Sequence, residues 1–150
     1  MPVNFRPCYN EIIKSQRHQK VLEYALEQIR ASSIAPYINA VYLYGSCARG
    51  RETWNSDVDL LLELDEEKYN RSELKIELRI LKAEVMTDDV RDPETDLKIV
   101  VGKEWKVNTM PFYENIRKEG ILIWPDAPSL ADVWGEGGAG KVCAGFLDIE

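Results

Sequence analysis

A chain of 150 residues with 26 acidic and 19 basic side chains, 45% apolar residues, 9 Gly and 7 Pro can bury one domain's core, and its composition excludes collagen-like or wholly disordered readings. Its net charge of −7 argues against non-specific nucleic-acid binding, which needs a basic face, and implies metal cations if the chain handles phosphates. No run of about 18 apolar residues and no apolar leader is present, and Cys8, Cys47 and Cys143 form no CxxC pair; the expectation is a cytoplasmic protein with no membrane contact, disulfide framework or cysteine-held zinc.

From Tyr9 to Arg30 the apolar residues Ile12, Ile13, Val21, Leu22, Ala25, Leu26 and Ile29 keep to one face, which predicts a long first helix ended by Ser32, Ser33 and Pro36. Ala40 to Tyr44, β-branched and aromatic, predicts a first strand that stops at Gly45. A polar stretch, Ser46 to Ser56, leads to a second strand from Asp57 to Leu64. Val58, Leu60, Leu62 and Leu64 share one side of it, and Asp57 and Asp59 the other. Arg71 to Met86 fits both an alternating strand and a helical stripe through Leu74, Leu78, Leu81 and Val85; its length favours a helix. After a polar break, Asp96 to Gly102 predicts a third strand. Thr109 reads as a cap for a short helix with Pro111 in its first turn, ending at Gly120 before a last strand, Ile121 to Trp124. The domain is expected over 1–125, with 126–150 an acidic, Gly-containing tail carrying −4 of the charge.

The chemistry concentrates where the first strand runs into Gly45-Ser46-Cys47-Ala48-Arg49-Gly50, with ten residues between Ser46 and Asp57-Val58-Asp59. A glycine beside a hydroxyl at a strand-to-helix turn lets backbone N–H groups approach phosphate oxygens. Two aspartates one residue apart on a strand point the same way and supply the hard oxygen ligands that magnesium prefers. The pair, the turn and a further carboxylate, Asp96, opening an apolar strand together point to a nucleotide site.

This pattern resembles the minimal form of the DNA polymerase beta-like nucleotidyltransferase superfamily: Gly-Ser, about ten residues, then Asp-x-Asp. The similarity spans roughly residues 10–125 and includes Ser56-Asp57-x-Asp59-Leu60, Asp96-Leu97 and the closing run from Pro111 to Gly120. It implies an α/β fold, a small mixed, twisted sheet of about four strands with helices packed on one face. It further implies that Asp57, Asp59 and Asp96 hold two Mg2+ ions and that Gly45, Ser46, Arg49 and Ser56 bind a nucleoside triphosphate, with ATP the expected donor. Asp96 would also help deprotonate the attacking hydroxyl. The reaction implied is transfer of a nucleoside monophosphate to a hydroxyl acceptor. Minimal members often act beside a small helical HEPN partner as toxin–antitoxin pairs, which implies an acceptor on a partner protein. A nucleotide- or partner-binding module without turnover, and a small-molecule modifier whose pocket forms across a homodimer, remain open alternatives.

Other features are weaker. Gly135 to Lys141 has the spacing of a P-loop, but Val142 replaces the magnesium-binding hydroxyl and only nine residues follow. Cys47 is given no chemistry. His18 reads as a helix-edge or partner-contact residue. Trp54 fits either a base stack or a subunit contact, and Trp105 and Trp124 fit the core or its rim.

Overall fold

The computed structural model describes residues 9–124. The tail expected over 126–150, with its P-loop-like run, lies outside the described residues. In chain order the elements are α1 (Tyr9–Ile12), α2 (Gln16–Ala31), a 3-10 turn (Ala35–Tyr37), β1 (Ile38–Tyr44), α3 (Ser46–Arg49) and β2 (Val58–Leu64). They continue with α4 (Glu66–Asn70), α5 (Lys75–Glu84), β3 (Thr95–Val101), a second 3-10 turn (Glu104–Lys106), α6 (Pro111–Glu119) and β4 (Ile121–Trp124).

The strands form one mixed sheet in the order β3-β2-β1-β4, with β1 antiparallel to both neighbours and β2 parallel to β3. The α/β fold expected from the sequence is the one observed. Strand alternation sorts the side chains: Val41, Leu43, Val58, Leu60, Leu62, Leu64 and Leu97 turn to one face. There they pack with Val21, Leu22, Ala25, Leu26 and Ile29 of α2 and with Leu81 of α5, forming the main core. The opposite face carries a smaller cluster, Ala40, Tyr42, Tyr44 and Leu61, packed against Trp105 and against Ile116 of α6. Thus α6 adds a partial cover to the face opposite α2 and α5.

The first helix is interrupted where the sequence predicts continuity. Ser15 caps α2 by accepting from the His18 N–H, and Oε2 of Glu52 accepts from the N–H groups of both Lys14 and Ser15 at 2.6 Å. A distant carboxylate therefore competes with the helix for these donors. The ambiguous segment is a helix, α5: Leu74, Leu81 and Val85 are buried whereas Ile76 is 66% exposed. The stripe outweighs the alternation because α5 has a single face to bury. Ahead of it lies α4, capped by Asp65 Oδ1 accepting from the Lys68 N–H at 2.9 Å. At α6 the cap position falls on Met110, not Thr109, and Asn108 Oδ1 accepts from the Met110 N–H instead.

Topology then places the site. Because β1 and β2 are antiparallel, the C-terminal end of β1 lies beside the N-terminal end of β2. Because β2 and β3 are parallel, the N-terminal end of β3 lies there too. Gly45-Ser46, Asp57-Asp59 and Asp96 therefore share one end of the sheet.

Candidate active site

Register brings the carboxylates together. Tyr44 pairs with Asp59 across β1 and β2, and Asp59 pairs with Asp96 across β2 and β3, so the three stand in one row on the face opposite the main core. Asp57 is exposed just ahead of β2, two residues from Asp59. At the end of β1 the chain turns at Gly45 with φ +80°, a left-handed conformation that favours glycine. A Cβ added there would overlap Oδ2 of Asp59, so the absence of a side chain is what lets the backbone lie against that carboxylate. Ser46 opens α3 directly after it.

The electrostatics follow from this crowding. Burial, then the charges of Asp96 and Asp57, push the Asp59 carboxyl up from 3.8 to about 6, against the opposing pull of Lys98 and Arg49. The Tyr44 phenol is raised by its own burial and by Asp59, Asp96 and Glu119. Nζ of Lys98 stands 3.5 Å from Oδ1 of Asp96, a half-exposed pair that only partly offsets the carboxylates. Burial, with Glu52, Asp59 and Asp57, pushes the Cys47 thiol up to about 12, which keeps this fully buried side chain protonated. Its Sγ–H donates to the Asp57 carbonyl at 3.6 Å. That position is structural, in keeping with the reading that gave Cys47 no chemistry.

Hard oxygen donors crowded closely enough to raise the proton affinity of Asp59 also suit a divalent cation. Among the described residues, no three His, Cys, Asp or Glu side chains close around one point. The fit to a divalent cation therefore rests on the chemistry of the donors, hard carboxylates brought to one end of the sheet, and not on a closed ligand cage.

The family's sequence profile, described as polymerase beta, nucleotidyltransferase, matches residues 27–127. The chain belongs to the polymerase beta nucleotidyltransferase family. A crystal structure of a candidate nucleotidyltransferase from Sulfolobus solfataricus, at 1.40 Å resolution, is similar over 82% of this chain and 92% of its own, with 18% identity and a TM-score of 0.48. No curated protein matches the sequence.

In this nucleotidyltransferase domain, Gly45, Ser46, Asp57, Asp59 and Asp96 gather at one end of the sheet, and two further residues expected at the site have other partners. Ser56 Oγ accepts from the Thr53 N–H at 2.8 Å, closing the turn before Asp57. Arg49 donates from Nη1 to Oε1 of Glu119 at 2.8 Å, and Oε2 of the same carboxylate accepts from the Gly45 N–H at 2.9 Å. Glu119 thus joins the site although only its place in the closing run marked it in the sequence. His18, read as a helix-edge residue, is fully buried: Nδ1 lies 2.7 Å from Ser15 Oγ and Nε2 2.9 Å from the Ser56 carbonyl. With the carbonyl as acceptor, Nε2 carries the proton, and the ring ties the start of α2 to the loop that delivers Asp57.

Beside Asp57, a cleft of about 630 Å³ is lined by Arg17, Trp54, Arg91 and Glu94 among others. The Arg17 guanidinium lies 3.4 Å from the Trp54 ring centre and donates to the Trp54 and Arg91 carbonyls, so one face of that tryptophan is occupied within the chain.

Proposed function

We propose that the protein transfers a nucleoside monophosphate, AMP from ATP, to a hydroxyl acceptor on a partner protein, with release of pyrophosphate. The observation that supports this most is the row of Asp59 and Asp96 on paired strands, with the Gly45 backbone pressed against Asp59 and Asp57 two residues away. Asp57, Asp59 and Asp96 are the residues that would hold two Mg2+ ions, which when bound would stabilise charge at the α-phosphorus and increase the acidity of the acceptor hydroxyl. The Gly45 N–H, the Ser46 hydroxyl and Arg49 would bind the terminal phosphates, Arg49 offering a planar fork of donors. Asp96, at the outer end of the row, would accept the proton of the attacking hydroxyl.

A protein acceptor is favoured by size and charge. The described residues form a single small sheet domain, and the chain's net charge of −7 disfavours a nucleic-acid acceptor. A helical partner of the HEPN type, encoded with it as a toxin–antitoxin pair, would carry the hydroxyl.

The test is incubation with magnesium and each α-labelled nucleoside triphosphate in an extract of the source cells, beside Asp57→Asn. A labelled protein band with ATP, absent from the variant, is the expected outcome. An active Asp57→Asn protein, or no labelled protein with any of the four nucleotides, would overturn the reading.

A further inference from the structure

Two of the three donors proposed for phosphate, the Gly45 N–H and Arg49, are held by an anion of the chain itself. One oxygen of Glu119 takes the Gly45 N–H at 2.9 Å and the other takes Arg49 at 2.8 Å, so a single carboxylate bridges the backbone and side-chain ends of the α3 turn. That turn is closed by the Arg49 N–H donating to the Gly45 carbonyl at 3.2 Å. Glu119 is 21% exposed and Arg49 48%, so the bridge lies at the surface, open to exchange with a solute. A backbone N–H has a single hydrogen and cannot serve a carboxylate and a phosphate equally well at once. Two anions on the same donors would also repel each other.

We propose that Glu119 is an internal stand-in for phosphate, a latch that occupies the Gly45 and Arg49 donors and must leave them when triphosphate binds. The latch rests on the nucleotide reading above and deepens it by adding control of affinity. Glu119 is the last residue of α6, followed by Gly120 and then β4, which pairs with β1. Release of the carboxylate therefore frees the C-terminal end of α6 from the β1–α3 turn. Nucleotide occupancy is reported to the face of the sheet opposite α2 and α5.

The experiment is calorimetric titration of ATP with magnesium into the full chain, comparing wild type with Glu119→Gln, Glu119→Ala and the exposed same-helix control Glu114→Gln. Glu119→Gln is expected to bind about tenfold more tightly than wild type, the scale of one charge-assisted hydrogen bond that phosphate no longer has to displace. Glu114→Gln, which changes the net charge equally, is expected to stay within about twofold of wild type. Equal or weaker binding by both Glu119 variants, with ATP still bound by wild type, overturns the latch and leaves the nucleotide reading standing. Absence of ATP binding in wild type and all variants overturns both. Should the Glu119 variants fail to fold, amide exchange of residues 116–122 in the wild type decides. Faster exchange on adding ATP and magnesium is expected, and unchanged or slower exchange overturns the latch.

Discussion

Asp59 carries a cost that its neighbours impose. Its carboxyl is held at about 6 by burial first and then by Asp96 and Asp57, against an ordinary value of 3.8. Because the folded value lies above the unfolded one, the folded state binds its proton more tightly. This group's contribution to stability is therefore greatest below about pH 4 and falls as pH rises to about 6. Asp59→Asn removes the charge but keeps the shape. In chelator, the variant is expected to melt above wild type at pH 7, with the gap shrinking toward pH 4, as thermal unfolding across that range would record. Wild type melting at or above the variant at pH 7 would mean that the carboxylates do not strain the site. Strand alternation made the side of Asp59 legible in the sequence, whereas Asp57, expected to open the strand, stands just ahead of β2. Glu119 was not legible, because its two donors lie 74 and 70 residues away along the chain.

Helices and strands were legible to the extent that their cues are local. The stripe of α2, the alternation of β2 and the proline opening α6 all act within a few residues. The break before α2 escaped, since it depends on Glu52, 37 and 38 residues from the N–H groups it captures. The same distinction applies to Glu63, a fully buried carboxylate in β2. Desolvation pushes its carboxyl up, but hydrogen bonds from Trp105 Nε1 at 2.8 Å, Lys103 Nζ at 3.0 Å and Asn39 Nδ2 at 3.0 Å more than offset it and hold it below the usual range. These donors come from β1 and from the second 3-10 turn and its approach, so one carboxylate ties that turn to the sheet. Trp105→Phe keeps most of the ring but leaves Oε1 without its partner. A loss of about 1 to 3 kcal/mol in urea unfolding is expected, the usual penalty for an unsatisfied buried polar group. A change near zero would show that the turn is not held through Glu63.

For the whole molecule, charge and topology decide different things. With 26 acidic against 19 basic side chains, the net charge of −7 leaves no basic excess to displace counterions from a nucleic-acid backbone. No shift of a labelled single- or double-stranded oligonucleotide is expected in a gel at physiological salt with protein up to about 10⁻⁴ M, the weak end of non-specific binding. A clear shift well below that concentration would reopen nucleic acid as the acceptor. Among the described residues no helix is long and apolar enough to cross a membrane. By itself the sequence determined the main helices and strands in chain order, the acidic balance and the Gly45-Ser46 and Asp57-x-Asp59 motifs, because residue type and short-range periodicity encode each of these; the α/β class followed from the family resemblance that the motifs carry. Tertiary structure alone decided the register that aligns Tyr44, Asp59 and Asp96, the burial of His18 against Ser56, and the Glu119 bridge to Gly45 and Arg49. Each is a contact between residues distant along the chain, from the hairpin-like Tyr44–Asp59 pair to the Glu119–Gly45 bond 74 residues apart, and such contacts form only once β1, β2 and β3 pair and α2 and α6 dock on opposite faces.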